Sequence, residues 1–138
     1  MIDYMSYRRI LMSIALLILV SFETMAQVAI TPDTTSVMIG DQIKLEIKVK
    51  TDSTNNVIFP QGQTFSPLEL VDVNDTDTLF NKEKVTYTKI YNLTQFDSGF
   101  YTLPKQKIII GDKIVFTDSL KTEFRGVKVD TTKQKLFN

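Results

Sequence analysis

A strict alternation of apolar and polar side chains over residues 42–51 constrains the fold more than any other feature of the sequence. Ile43, Leu45, Ile47 and Val49 alternate with lysine and glutamate. Successive side chains of a β-strand point to opposite faces, so this period of two predicts a strand with one buried and one wet face. The chain therefore contains at least one long strand at the surface of a packed core.

Shorter runs of strand-forming residues recur along the rest of the chain. Turn residues separate them roughly every 8–12 residues, a spacing typical of all-β sandwiches and barrels. Gly111-Asp112 lies between two such runs and fits a two-residue hairpin turn. The predicted strands lie at residues 28–30, 37–39, 42–51, 57–59, 68–73, 79–80, 85–93, 100–103, 107–110 and 114–124. These runs predict an all-β fold, a sandwich or a barrel. The D-x-G-x-Y pattern at residues 97–101 then favours an immunoglobulin-like antiparallel β-sandwich.

The N-terminal segment has the composition of an export signal. Two arginines precede residues 10–22, a run of thirteen with only two polar members. As a helix this run would reach roughly 20 Å, short of the about 30 Å of a hydrocarbon core. Residues 24–26 (TMA) place small residues at the positions that a cut before Gln27 requires. We predict a signal peptide helix at residues 1–26, with an uncleaved anchor as the alternative.

Two further segments follow the predicted signal. Residues 27–126 form the β-sandwich domain, and residues 127–138 (VKVDTTKQKLFN) read as a polar linker or tail. Residues 27–138 carry 14 basic and 14 acidic side chains and no cysteine. An exported chain without cysteine suits the bacterial periplasm, where packing and not disulfides must hold the fold. The expected location is therefore periplasmic.

The composition disfavours several classes of function. The 138 residues include no histidine and no cysteine, which removes His-dependent triads, thiol nucleophiles and Cys/His metal sites. A net charge of zero lacks the basic excess typical of nucleic-acid binding. We predict a protein that is not an enzyme, with no catalytic residue, cofactor, metal, nucleic acid or small-molecule substrate. A hydrolase is the remaining enzymatic alternative.

An acidic stretch at residues 72–77 is the candidate for a cation site. Its three carboxylates could surround Ca²⁺, which takes six to eight oxygen ligands. The order of residues departs from that of an EF-hand loop, because Thr76 stands at the third ligand position and no glycine follows. A solvated turn between strands is the preferred interpretation.

The pattern Asp97-Ser98-Gly99-Phe100-Tyr101 has the D-x-G-x-Y form of a tyrosine corner in immunoglobulin-like domains. Gly99 would supply the backbone freedom of the turn, and the Tyr101 hydroxyl would bond back to the backbone. Leu103 stands where disulfide-bonded members carry a cysteine. Asp97, Gly99 and Tyr101 are therefore predicted to have a structural role.

Aromatic side chains are the remaining candidates for a binding surface. Most of them fit core positions, because a disulfide-free sandwich of this size needs large residues inside. Phe65, in a polar loop, and Phe96, next to the predicted corner, are least explained by strand alternation. We predict that these two residues mark a partner surface.

The segment LTQFDSGFYTLP at residues 93–104 resembles the G-x-Y-T-[IL]-P signature of BatD-like proteins. The split start at residues 28–43, the Phe59-Pro60-x-Gly62 element and the closing residues 130–135 are similar to the N-terminal domain of that group. The resemblance extends over about residues 27–138. These proteins are membrane-anchored in the periplasm, with tandem immunoglobulin-like domains encoded in aerotolerance operons of Bacteroidetes type.

The resemblance implies a non-enzymatic interaction or scaffold module linked to aerotolerance or envelope stress. Implied partners are other periplasmic or membrane proteins, including von Willebrand factor A-type proteins. The group implies a membrane-spanning helix after the β-domain. A chain ending at Asn138 is therefore expected to be truncated before its inner-membrane anchor, with a soluble relative of the group as the alternative. A surface carbohydrate-binding or adhesion module on the same fold is the alternative function.

Overall fold

The computed structural model describes residues 3–20 and 27–126. One helix, α1 (Tyr4–Val20), precedes the strands, and its described side chains, up to residue 16, are exposed. Within the described residues, no helix is both long and apolar enough to cross a membrane. The predicted cleavage site at residues 24–26 and the predicted tail at residues 127–138 lie outside the described residues.

Eleven strands make up residues 27–126 of the described chain. They are β1 (Gln27–Pro32), β2 (Ser36–Met38), β3 (Gln42–Asp52), β4 (Val57–Ile58), β5 (Glu69–Val73), β6 (Asp77–Asn81), β7 (Lys84–Thr94), β8 (Gly99–Leu103), β9 (Lys107–Ile110), β10 (Lys113–Phe116) and β11 (Leu120–Arg125). The prediction of an all-β fold is confirmed.

The strands form one five-stranded sheet and two three-stranded sheets. The larger sheet has the order β1-β3-β7-β5, and β6 pairs with β7 beyond the end of β5. The smaller sheets have the orders β10-β9-β4 and β2-β11-β8. Every pairing is antiparallel except that of β2 with β11, which is parallel. Residues 27–126 thus form antiparallel sheets with one parallel pairing.

The central pair β3 and β7 aligns residue for residue from Gln42↔Thr94 to Asp52↔Lys84. The alternation in β3 predicted its burial correctly, since Ile43, Leu45, Ile47 and Val49 are all at most 2% exposed. Buried residues from all three sheets join one cluster, which is what a sandwich core requires. Its buried members are Ile43, Leu45, Ile47, Val49, Phe59, Phe65, Leu68, Tyr91, Leu93, Leu103, Ile108, Ile110 and Phe124.

The hairpin of β9 and β10 turns at Gly111-Asp112, with Ile110 paired to Lys113. Gly111 has a φ of +60° and lies close to Asn55, whose side-chain oxygen would be 3.1 Å from a Cβ at this position. Its N–H donates to the carbonyl of Asn56 at 2.7 Å. Glycine is required here by both the backbone angle and the close approach of the segment before β4.

Candidate functional site

The predicted corner at residues 97–101 covers the end of the β7–β8 connection and the first residues of β8. The Tyr101 hydroxyl donates to the carbonyl oxygen of Asp97 at 2.8 Å. The Tyr101 ring packs against the buried Phe124, with centroids 6.0 Å apart in an edge-on arrangement. Gly99 has a φ of +152°, and a Cβ there would lie 3.6 Å from the ring. These contacts connect the loop to the core and give the three residues a role in holding the chain.

Replacing Tyr101 by phenylalanine should lower the free energy of unfolding by about 1 kcal/mol, because it removes one hydrogen bond and keeps the ring. Urea denaturation of the full chain followed by circular dichroism measures the change. Tyr87→Phe is the matched control, since its hydroxyl has no hydrogen-bond partner among the described residues. Equal losses in the two variants would contradict a role for the Tyr101 hydroxyl.

The two phenylalanines predicted to mark a partner surface lie in different environments. Phe96 is 63% exposed and lies beside the turn at Gly40. Phe65 is fully buried, and its ring is 4.9 Å from that of Tyr91. The expectation that Phe65 is at the surface was wrong, because the polar loop that carries it folds its ring into the core. Phe65 is not available to a partner.

The acidic residues 72–77 do not gather around a common point. Asp72 lies on β5, Asp75 in the following loop and Asp77 at the start of β6, and all three are exposed. In residues 3–20 and 27–126, no group of three or more His, Cys, Asp or Glu side chains is placed to hold a metal ion. The geometry favours the interpretation of this stretch as a solvated connection.

Four exposed aromatic rings of residues 27–126 lie on different elements. Phe80 lies on β6, Phe96 in the β7–β8 connection, Phe100 on β8 and Phe116 on β10. Ring contacts found in the described part of the chain join Phe65 to Tyr91 and Tyr101 to Phe124, so they involve none of the four exposed rings. A sugar-stacking platform would need neighbouring exposed rings.

An apolar patch that the sequence reasoning did not identify covers the outer face of the β10-β9-β4 sheet. Ile58 pairs with Ile109, and Ile109 pairs with Ile114, so three isoleucines form one row across the three strands. Phe116 follows two residues after Ile114 on the same face. Ile58 is 50%, Ile114 56% and Phe116 59% exposed. We call Ile58, Ile109, Ile114 and Phe116 the outer patch.

A groove of about 340 Å³ adjoins the outer patch. The pairing of β4 with β9 ends at Ile58↔Ile109, and the same register would place Pro60 opposite Lys107. Proline has no N–H to continue a ladder, so the two segments separate beyond this point. The groove between them is lined by Ile58, Phe59, Pro60, Gln61, Thr64, Lys105, Gln106, Lys107 and Ile109.

The buried side chain of Gln106 ties the two walls of the groove together. Its Nε2 donates to the carbonyls of Pro104, at 2.8 Å, and Thr64, at 3.2 Å. Its Oε1 accepts from the Thr64 hydroxyl at 2.8 Å. The Gln106 N–H donates to the hydroxyl oxygen of Thr117, whose own N–H donates back to the Gln106 carbonyl. This network fixes the segment before β9 against the loop that follows β4.

Tyr91 holds the same loop from the core side. Its buried hydroxyl donates to the carbonyl oxygen of Pro60 at 2.8 Å. Burial raises the pKa of Tyr91 above the ordinary range of tyrosine, so the hydroxyl stays protonated and remains a donor. Lys89 also reaches this region, with its Nζ 5.7 Å from the centre of the Phe59 ring and 6.0 Å from that of Tyr91. The groove wall is therefore fixed before any ligand arrives.

Comparisons of the sequence and the structure with known proteins found no relative. The chain matches no protein-family model, no curated protein and no solved structure.

Proposed function

We propose that the chain is a non-enzymatic protein-interaction module on an immunoglobulin-like sandwich, exported to the periplasm and related to BatD-like proteins. The strand order supports the fold part of the proposal. The β1-β3-β7-β5 sheet corresponds to the A-B-E-D sheet of such a domain. In the same scheme β4 supplies strand C, β8 with β9 strand F, and β10 with β11 strand G.

The outer patch is the observation that carries the interaction role. A soluble domain normally directs polar side chains outward from its sheets, and contiguous exposed apolar surface marks an interaction site. Here three isoleucines are aligned across a sheet whose inner face already supplies Ile108 and Ile110 to the core. Because both faces of this sheet are apolar, the outward row is surplus to what folding needs.

The carbohydrate-binding alternative has less support. It requires a group of exposed rings beside the acidic residues 72–77. The four exposed rings of residues 27–126 lie on three different strands and one connection. The outer patch is mostly aliphatic, and aliphatic side chains suit a protein surface better than a sugar ring.

A photo-crosslinking residue at position 114 tests the proposed function. In the cells that produce the chain, benzoylphenylalanine in place of Ile114 should give light-dependent adducts with a discrete protein. The matched control carries the same group in place of Lys50, which is exposed on β3 in the five-stranded sheet and not in the sheet of the outer patch. The mass of the recovered chain also reports whether it begins at Gln27, as export with cleavage requires.

Absence of adducts at position 114, or the same adducts at both positions, would contradict an interaction role for the outer patch. Adducts at position 114 alone, containing an envelope protein, would support both the role and the periplasmic location.

A further inference from the structure

We propose that the groove beside the outer patch binds an extended, carboxylate-bearing segment of the partner protein, with Lys105 and Lys107 pairing its acidic side chains. This inference rests on the proposed function, because it names the chemistry of the partner at the same site.

The shape of the groove suits an extended chain. It opens where β4 leaves β9 at Pro60, so it continues the line of a strand that has stopped. Peptides commonly bind by lying along such interrupted or exposed sheet edges. A volume of about 340 Å³ lies within the range of specific ligand pockets, roughly 300–1,000 Å³. The site therefore has room for a short stretch of peptide.

The charges of the groove select for an acidic partner. Lys105 and Lys107 both line it, and none of its described lining residues is acidic. Both lysines are exposed, and neither has an ion pair or hydrogen bond with its side chain in the described part of the chain. Two like charges on one wall, in a chain that is neutral overall, create a local positive field. An acidic segment would neutralise it.

The neighbouring apolar side chains specify the rest of the partner. Ile58 and Ile109 belong both to the outer patch and to the lining of the groove. A segment seated there would place apolar side chains on the isoleucines and acidic side chains near the lysines. Lys107 and Ile109 are two positions apart on β9 and so share a face, and side chains two positions apart in an extended peptide also point to one side. A segment with an acidic residue two positions from an apolar one therefore satisfies both requirements.

The rigid wall makes this recognition efficient. Gln106 and Tyr91 hold the two sides of the groove by hydrogen bonds already made in the free chain. Binding then requires the peptide to be ordered and not the site, which lowers the entropic cost of association.

Fluorescence anisotropy with three labelled octapeptides tests the inference on the full chain. The probes repeat valine–serine–X–serine twice, with glutamate, glutamine or lysine as X, so that valine and X point to the same side of the extended peptide. We expect the valine–glutamate probe to bind at least about tenfold more tightly than the valine–glutamine probe at low salt, and this advantage to shrink as salt is added. The valine–lysine probe should bind weakest.

A double charge reversal, Lys105→Glu with Lys107→Glu, should abolish the preference for glutamate. The matched control, Lys44→Glu with Lys50→Glu, makes the same change of net charge on the exposed face of β3. This control should keep the preference for the glutamate probe. Circular dichroism establishes that both variants are folded.

Four results would overturn the inference: no binding of any probe, equal binding of the glutamate and glutamine probes, tighter binding of the lysine probe, or equal effects of the two double variants. Displacement of the glutamate probe by inorganic phosphate at equal concentration would overturn it too, by indicating a simple anion site. If any of these results came together with crosslinks at position 114, the proposed function would still be supported. Only the inference that the partner segment is acidic would be rejected.

Discussion

Replacement of Phe65 by alanine is expected to lower the free energy of unfolding by about 3–5 kcal/mol, the range of phenylalanine truncations in packed cores. Phe65 is 0% exposed and contacts Tyr91, which in turn holds the loop after β4 through the Pro60 carbonyl. The substitution therefore leaves a cavity and loosens the wall of the groove.

Phe96→Ala is the matched control, since it deletes the same side chain from a position that is 63% exposed. We expect a loss below about 1 kcal/mol there, because most of the ring is already in water. Guanidinium denaturation of the two variants measures the difference. Comparable losses would mean that Phe65 does not occupy the core position described here.

Gln106→Leu should cost about 2–3 kcal/mol. Leucine fills a similar volume, so the loss isolates the hydrogen bonds that Gln106 makes to Thr64 and Pro104. Buried polar groups left without partners cost about 1–3 kcal/mol each, reduced here because the carbonyls on the loop side retain some access to water. The variant should also bind the valine–glutamate probe more weakly, since one groove wall loses its attachment.

Gln63→Leu provides the comparison for this prediction. Gln63 also makes two side-chain hydrogen bonds, to the N–H and carbonyl of Leu70, but it is exposed. Water can replace those bonds, so a loss below about 1 kcal/mol is expected. Thermal and urea unfolding of both variants measures the two losses of unfolding free energy. Equal losses would contradict the role of Gln106.

Alternation along the chain was sufficient to predict the strands that form the sheet interior. It succeeded for β3 because every second residue there faces the core. It failed for the run at residues 114–124, which was expected to be one strand and is divided into β10 and β11. The division falls at Thr117, whose hydroxyl and N–H turn towards Gln106, a residue eleven positions away. A hydrogen-bond partner this far away in the sequence cannot be predicted from the local pattern of residues.

Phe65 was misplaced for a related reason. Its neighbours are polar, and a polar loop predicts an exposed side chain only when the whole loop lies on the surface. Here Thr64 bonds to Gln106 and Leu68 is buried, so the loop folds its two apolar side chains inward. Only the long-range contacts with Tyr91 and Gln106 decide this orientation.

The outer patch did leave a signal in the sequence. Ile108, Ile109 and Ile110 are consecutive, and a strand that is apolar on both faces must direct one of them away from the core. The sequence signal for the groove is weaker. Pro60 indicates where the hydrogen bonding between strands ends, but it does not indicate that a groove opens there. The charge of that opening depends on the register of β4 and β9, which brings Lys107 opposite Pro60, with Lys105 two residues earlier in the groove lining.

The β9–β10 hairpin contributes side chains both to the core and to the outer patch. Ile108 and Ile110 serve the core, whereas Ile109, Ile114 and Phe116 face outward. Because the two sets alternate on one short hairpin, outward positions can change without disturbing the inward ones. Substitutions at the three outward positions would therefore change the surface that the hairpin offers to a partner and leave its two core side chains in place.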